Sequence, residues 1–243
     1  STGVPKRFEV AKDVMWHSAG ATIAALNLST GLRALNPLSC AYVAGKMMVV
    51  RAMRGGWRLE LTPPSTGVLY ELKDNYDFAA FVPMQVRGAA HNLNKIGCTI
   101  LGGAPVDTDL EAELSGVKTK VYETFGMTET VSHIAIRQVA PRGNTHFEAL
   151  PTVEFSKSNE GTLTIHAPAW GYEELKTNDV VELLGNENFK WLGRADFVIN
   201  SGGIKLHPEV IEPKLRSVLH AEVYVTSESH KELGEQMIGV VLK

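Results

Sequence analysis

The chain has 243 residues, 44% hydrophobic and 21% charged, enough to bury a core in one or two domains. A formal net charge of −3 with no basic tract excludes an electrostatic case for a nucleic-acid partner. Every apolar run meets a charge or a glycine well short of a membrane span.

In chain order, S-T-G-V-P-K at 1–6 lacks a signal-peptide pattern and reads as the second half of a motif, so a fragment is expected. Residues 8–28 place Val14, Met15, Ala19, Ile23 and Leu26 at helical spacing. A short strand follows at 32–38, a second helix at 43–53, a strand at 58–61 and a Pro/Gly loop at 63–67. Strands are predicted at 78–82, 99–101 and 120–122, with helical stretches after Pro83 and at 107–114. This alternation predicts an α/β fold with a parallel-rich sheet layer, whose ligands bind beyond the carboxyl ends of the strands.

From residue 134 to about 192, short strands separated by Gly, Asn and Pro suggest a small antiparallel β subdomain. A helix at 209–219 and strands at 222–226 and 237–242 would form a partial α+β C-terminal domain. The expected division is therefore residues 1–195 and 196–243. Cys40 and Cys98 stand far apart without metal-ligand spacing and read as buried thiols of a reduced, cytoplasmic protein.

Two segments carry chemistry. In Y-E-T-F-G-M-T-E-T-V-S-H (122–133), Gly126 lets the backbone come close to a ligand. Thr128 offers a hydroxyl to a phosphate oxygen, and Glu129 a hard carboxylate to Mg²⁺. In G-R-A-D-F-V-I-N-S-G-G-I-K-L-H-P-E-V-I-E (193–212), Arg194 supplies a fork for ribose or phosphate oxygens and Asp196 stands where a hinge is expected. Ser201, Gly202 and Gly203 form a loop able to approach a ligand closely.

With these motifs in this order, the chain resembles the adenylate-forming family of acyl- and aryl-CoA synthetases, peptide-synthetase adenylation domains and luciferases. The resemblance covers nearly the whole chain and implies ATP and Mg²⁺ as cofactors and coenzyme A as co-substrate. Ser1, Thr2, Gly3 and Lys6 match the end of the family's phosphate loop, whose first half is missing. Gly102, Gly103 and Ala104 (G-G-A-P) match the segment against the acyl group and the adenine. Tyr122, Glu123, Gly126, Met127 and Thr128 match its nucleotide motif, and Glu129 its metal ligand. Asp179 (K-T-N-D, with Asn178 where Gly is usual) matches the carboxylate for both ribose hydroxyls. Arg194 matches the nucleotide arginine, and Thr128, Glu129 and Arg194 carry the catalytic roles. Asp196 matches the hinge, and Ser201, Gly202 and Gly203 are expected near the pantetheine tunnel. The family's adenylation lysine, in a P-K-x-x-x-G-K context, has no match before Lys243, which predicts an impaired first half-reaction for this polypeptide.

The resemblance also narrows the acid. T-E-T-V-S-H at 128–133 and P-L-S-C-A-Y-V-A-G-K-M-M at 37–48 are similar to members that activate o-succinylbenzoate in menaquinone biosynthesis. Tyr42 takes the place of the usual His, Ser132 becomes a substrate contact, and His133 reads as structural. A small aromatic carboxylic acid whose second carboxylate stays ionised needs a cation, and Lys46, Arg51, Arg54 and Arg87 are the candidates. Another aryl- or acyl-CoA synthetase, a carrier-protein-loading adenylation domain, a non-catalytic nucleotide-binding fragment and a homodimer stay open as alternatives.

Overall fold

A computed structural model describes residues 9–242. The expected phosphate-loop residues Ser1, Thr2, Gly3 and Lys6 lie outside them, as does Lys243. The chain divides into two compact units: residues 1–153 with 167–173, and residues 154–166 with 174–243. The division expected at 195/196 falls inside the second unit. Among the described residues no helix is long and apolar enough to cross a membrane.

The first unit is an α/β layer. Helix α1 (Lys12–Ala25) packs on α2 (Val43–Gly55). Five strands run parallel: β1 (Arg33–Asn36), β2 (Arg58–Leu61), β3 (Tyr76–Phe81), β4 (Ile96–Leu101) and β5 (Lys120–Gly126). Two antiparallel strands, β6 (His133–Ala140) and β7 (Phe147–Ala149), complete the order β2-β1-β3-β4-β5-β6-β7. The change of texture at residue 134 is thus a reversal of strand direction. Strand β3 is buried at all but one position, as a strand covered on both faces must be. Short helices α3 (Pro83–Val86) and α4 (Thr108–Leu114) follow β3 and β4, and the Asp107 carboxylate caps α4 by accepting the Leu110 N–H at 2.9 Å. Leu69, Phe81, Leu93, Leu101, Leu110 and Val121 belong to one buried cluster beneath these elements.

The second unit contains β8 (Glu154–Lys157), β9 (Thr162–Ala167), the long β10 (Tyr172–Leu183) and β11 (Asn188–Arg194), ordered β11-β10-β9-β8. A separate antiparallel sheet, ordered β13-β12-β15-β14, is built from β12 (Ile199–Ser201), β13 (Ile204–Leu206), β14 (Val223–His230) and β15 (Gly234–Val241). Helix α5 (Pro208–Leu219), opened by Pro208, packs on β14. Strands β7, β12 and β13 have three residues each, too few for alternation to reveal them.

One buried ion pair fastens the β5–β6 hairpin. The Glu123 carboxylate accepts from Arg137 Nε at 2.8 Å, from Arg137 Nη2 at 2.6 Å and from the Val106 N–H at 2.9 Å. Arg137 also pairs with Glu111 of α4 at 2.7 Å. Burial pushes the Glu123 carboxyl up, against the opposing pull of Arg137. Glu123→Ala leaves Arg137 paired with Glu111 and the Val106 N–H without its acceptor, and is expected to cost about 2–3 kcal/mol in urea unfolding. A loss below about 0.5 kcal/mol would contradict this structural role.

Candidate functional site

The carboxyl ends of β3, β4 and β5 open onto a pocket of about 280 Å³ in the first unit. Gly102, Gly103, Gly126, Met127, Thr128 and Ser132 of the expected site line it together. At Gly126 a Cβ would lie 2.4 Å from the Ser132 carbonyl oxygen and 2.5 Å from the His133 Cα, so only glycine lets the chain double back here.

The loop from Met127 to Ser132 is pinned from inside. Buried Thr130 accepts the Met127 N–H through Oγ1 at 3.0 Å and donates to the Ser132 carbonyl at 2.7 Å. Val131 holds φ +66°, a conformation that strains a β-branched residue by about 1–3 kcal/mol. Its burial in a cluster with Ala19 and Met47 opposes that strain. Thr128 and Glu129 are left exposed, and the Tyr172 hydroxyl donates to the Glu129 carbonyl.

Arg51 is the feature that the sequence did not single out from its alternatives. It is 2% exposed, lines the pocket from α2, and its Nε has no partner among the described residues. Burial alone lowers its pKa, to about 10, with no carboxylate acting to raise it. Its Nη2 donates to Ser132 Oγ at 2.7 Å and lies 3.4 Å from His133 Nδ1. His133, 5% exposed, places Nε2 3.1 Å from Thr22 Oγ1. Thr22 spends its hydroxyl proton on the Ser18 carbonyl at 3.1 Å, so His133 Nε2–H is the donor and Nδ1 presents its lone pair to Arg51. Burial and the Arg51 charge push His133 well below the usual histidine range, which keeps it neutral.

Other expected contacts lie elsewhere. Tyr42 is 74% exposed, precedes the first turn of α2 and is not a wall of the pocket, whereas the following Val43 and Ala44 are. Ala104 is exposed. Tyr122 is half-buried, and Glu123 spends its carboxylate on Arg137 and the Val106 N–H. Among the described residues no group of three or more His, Cys, Asp or Glu side chains is placed to hold a metal. A lone carboxylate such as Glu129 suits Mg²⁺, which keeps water and phosphate oxygens as most of its shell.

The second unit brings Asp179, Arg194 and Asp196 together. Asp179 is 6% exposed; Arg194 Nη1 lies 3.9 Å from its Oδ2, and Arg194 Nη2 lies 3.4 Å from Asp196 Oδ2. The Arg194 N–H donates to Glu209 Oε1 at 3.0 Å, and that carboxylate fills the space beside Gly193 (φ +136°). Gly202 (φ +59°) and Gly203 (φ +84°) make the two-residue turn of the β12–β13 hairpin, in which both central residues need positive φ.

The neutral state of His133 has a pH consequence. Below about pH 6.5 the unfolded chain takes up a proton that folded His133 refuses, so stability falls with pH until the lowered folded pKa is reached. His207 is shifted the same way by burial and contributes its own share. Urea unfolding at pH 7.5 and pH 5.0 should show a smaller loss in His133→Gln than in the parent, by about 1–2 kcal/mol. Equal losses in the two proteins would contradict a buried neutral His133.

No protein-family model and no curated protein sequence matches the chain. Solved structures do. An AMP-forming acyl-CoA synthetase/AMP-acid ligase II-like protein from Dyadobacter fermentans is 36% identical, with a TM-score of 0.76 over 99% of this chain and 72% of that one. The o-succinylbenzoate coenzyme A synthetase of Bacillus subtilis, in complex with ATP and a magnesium ion, is 21% identical, with a TM-score of 0.82 over 99% of this chain and 57% of that one. A double mutant of that synthetase, bound to its product analogue OSB-NCoA, is 20% identical with a TM-score of 0.68, again covering 99% of this chain and 57% of that one. This chain therefore spans little more than half the length of the Bacillus enzyme. The identity and coverage with the Dyadobacter protein, over a fold that all three share, make this chain a member of the AMP-forming acyl-CoA synthetase/AMP-acid ligase family.

Proposed function

We propose that the chain belongs to an ATP-dependent acid–thiol ligase whose acid is an aromatic dicarboxylate of the o-succinylbenzoate type. The reaction has two steps. A carboxylate oxygen attacks the α-phosphorus of ATP, the bond to the bridging β-phosphate oxygen breaks, and pyrophosphate leaves. The coenzyme A thiol then loses its proton and attacks the acyl carbon, and AMP departs. Neither step needs a covalent bond to the protein, so positioning and charge carry the catalysis.

One observation supports the acid most: in the wall of a pocket, Arg51 is a buried cation without a carboxylate partner among the described residues. An unpaired buried charge is costly, and an incoming carboxylate offsets that cost with charge-assisted hydrogen bonds. The surrounding walls, Val43, Phe81, Val82, Ile100 and Val131, are apolar and suit an aromatic ring. Arg51 would hold the spectator carboxylate with Ser132 beside it, leaving the succinyl carboxylate to react. The Bacillus neighbour has been captured with the acyl-adenylate OSB-AMP, in keeping with this substrate class.

The remaining roles follow from the residues. Gly102, Gly103 and Gly126 bring backbone close to the acyl-adenylate, Thr128 contacts phosphate, and Glu129 would hold Mg²⁺, which when bound offsets phosphate charge. Asp179 takes the ribose hydroxyls, with Arg194 beside it. Asp196 serves as the hinge between the two half-reactions, dividing residues 1–195 from 196–243, and Ser201, Gly202 and Gly203 face pantetheine.

The protein in its natural length should release pyrophosphate with o-succinylbenzoate, and Arg51→Gln should lower kcat/KM for this acid by roughly 30-fold or more. The same variant should leave 4-oxo-4-phenylbutanoate, which lacks the second carboxylate, within about twofold of the parent. Equal losses for both acids, in a variant with parental thermal unfolding, would remove Arg51 from this role.

A further inference from the structure

Strands β10 and β11 pair antiparallel with Asp179 opposite Arg194, Val180 opposite Gly193, and Val181 opposite Trp191. One step along β10 therefore matches two along β11, and Leu192 is the extra residue. Residues three apart on a regular strand point to opposite faces. The bulge cancels that difference and turns Trp191 and Arg194 to the same face, on either side of Asp179. Gly193 accommodates the turn at φ +136°, a conformation that strains any residue with a Cβ, and the Glu209 carboxylate lies 2.4 Å from where that Cβ would stand.

Asp179 is consequently gripped in a defined way. Trp191 Nε1–H donates to Oδ1 at 2.9 Å. The Asp179 N–H donates to Thr177 Oγ1 at 3.0 Å, and Thr177 donates in turn to the Leu163 carbonyl at 3.0 Å. Oδ2 stays 3.9 Å from Arg194 Nη1, beyond hydrogen-bond distance. A carboxylate and a guanidinium this close ordinarily shut into a two-point pair. Here Asp179 gives Oδ1 to the indole while Arg194 turns Nη2 toward Asp196 Oδ2 at 3.4 Å, and the two-point pair is not formed.

We propose that Trp191 is a positioning residue for nucleotide binding: its indole N–H keeps Asp179 open toward the two ribose hydroxyls instead of collapsed onto Arg194. The proposal rests on the reading of Asp179 as the ribose carboxylate. Trp191 itself does not touch the nucleotide. Its contribution is to prevent an internal ion pair that would compete with the diol.

The test is calorimetric titration of the natural-length protein with AMP and with 2′,3′-dideoxy-AMP, for the parent, Trp191→Phe, Asp179→Asn and the double variant. Trp191→Phe should weaken AMP about tenfold, the scale of one hydrogen bond to a charged group, and leave the dideoxy nucleotide within about twofold. In the Asp179→Asn background it should have no further effect. Replacing Trp191 with 3-benzothienylalanine, which keeps the ring shape and removes only the N–H, should reproduce the result without disturbing packing. Unchanged AMP affinity in both Trp191 replacements, while Asp179→Asn weakens it, overturns the proposal. Equal weakening of both nucleotides by both replacements overturns it as well. Unchanged AMP affinity in Asp179→Asn overturns the ribose reading, and the proposal with it.

Discussion

A guanidinium buried to 2% exposure, without a carboxylate partner among the described residues, is the constraint around which the first unit is arranged. Taking an unpaired cation out of water costs several kcal/mol, and the fold meets that cost in part with neutral acceptors. Ser132 Oγ and His133 Nδ1 face Arg51, and Thr22 fixes the imidazole tautomer that makes Nδ1 an acceptor. The network ties α1, α2 and the start of β6 into one wall. Burial first, and the neighbouring Arg51 charge second, keep His133 neutral within it. Among the described residues no carboxylate meets Arg51.

The second unit solves a different problem by a different device. It holds the buried Asp179 carboxylate while an arginine stands 3.9 Å away. Strand geometry alone would send Trp191 and Arg194 to opposite faces, and a one-residue bulge brings them to the same carboxylate. Gly193 makes that bulge possible, because its φ of +136° strains any residue with a Cβ. In one unit a charge is left without a carboxylate partner among the described residues; in the other a carboxylate and an arginine stand close without pairing at hydrogen-bond distance.

Much of this was legible in the sequence because it is local. Periodicity and breaker residues located α1, α2, β1, β2 and α4 closely, and the parallel layer followed from their alternation. The pocket position followed as well, since G-G-A-P and F-G-M-T-E both end parallel strands. What was hidden depends on register. Glu123 sits inside a motif that reads as nucleotide contact, yet pairing of β5 with β6 sets it opposite Arg137 and spends its carboxylate internally. Arg51 was one of four cations with equal claim until the packing of α2 buried it. Trp191 gave no signal, because a bulge leaves no mark in composition or spacing. Tyr42, expected at the substrate, is 74% exposed just before the first turn of α2.

The central claim is that the pocket selects a second, unreacting carboxylate. Calorimetric titration of the unmodified protein with o-succinylbenzoate, and with the analogue whose aromatic carboxylate is a primary amide, measures that selection without altering the chain. The amide keeps the ring and the succinyl group and removes only the charge that Arg51 would meet. The account predicts at least a tenfold weaker Kd for the amide, the scale of one charge-assisted contact. Equal affinity for the two compounds would contradict it.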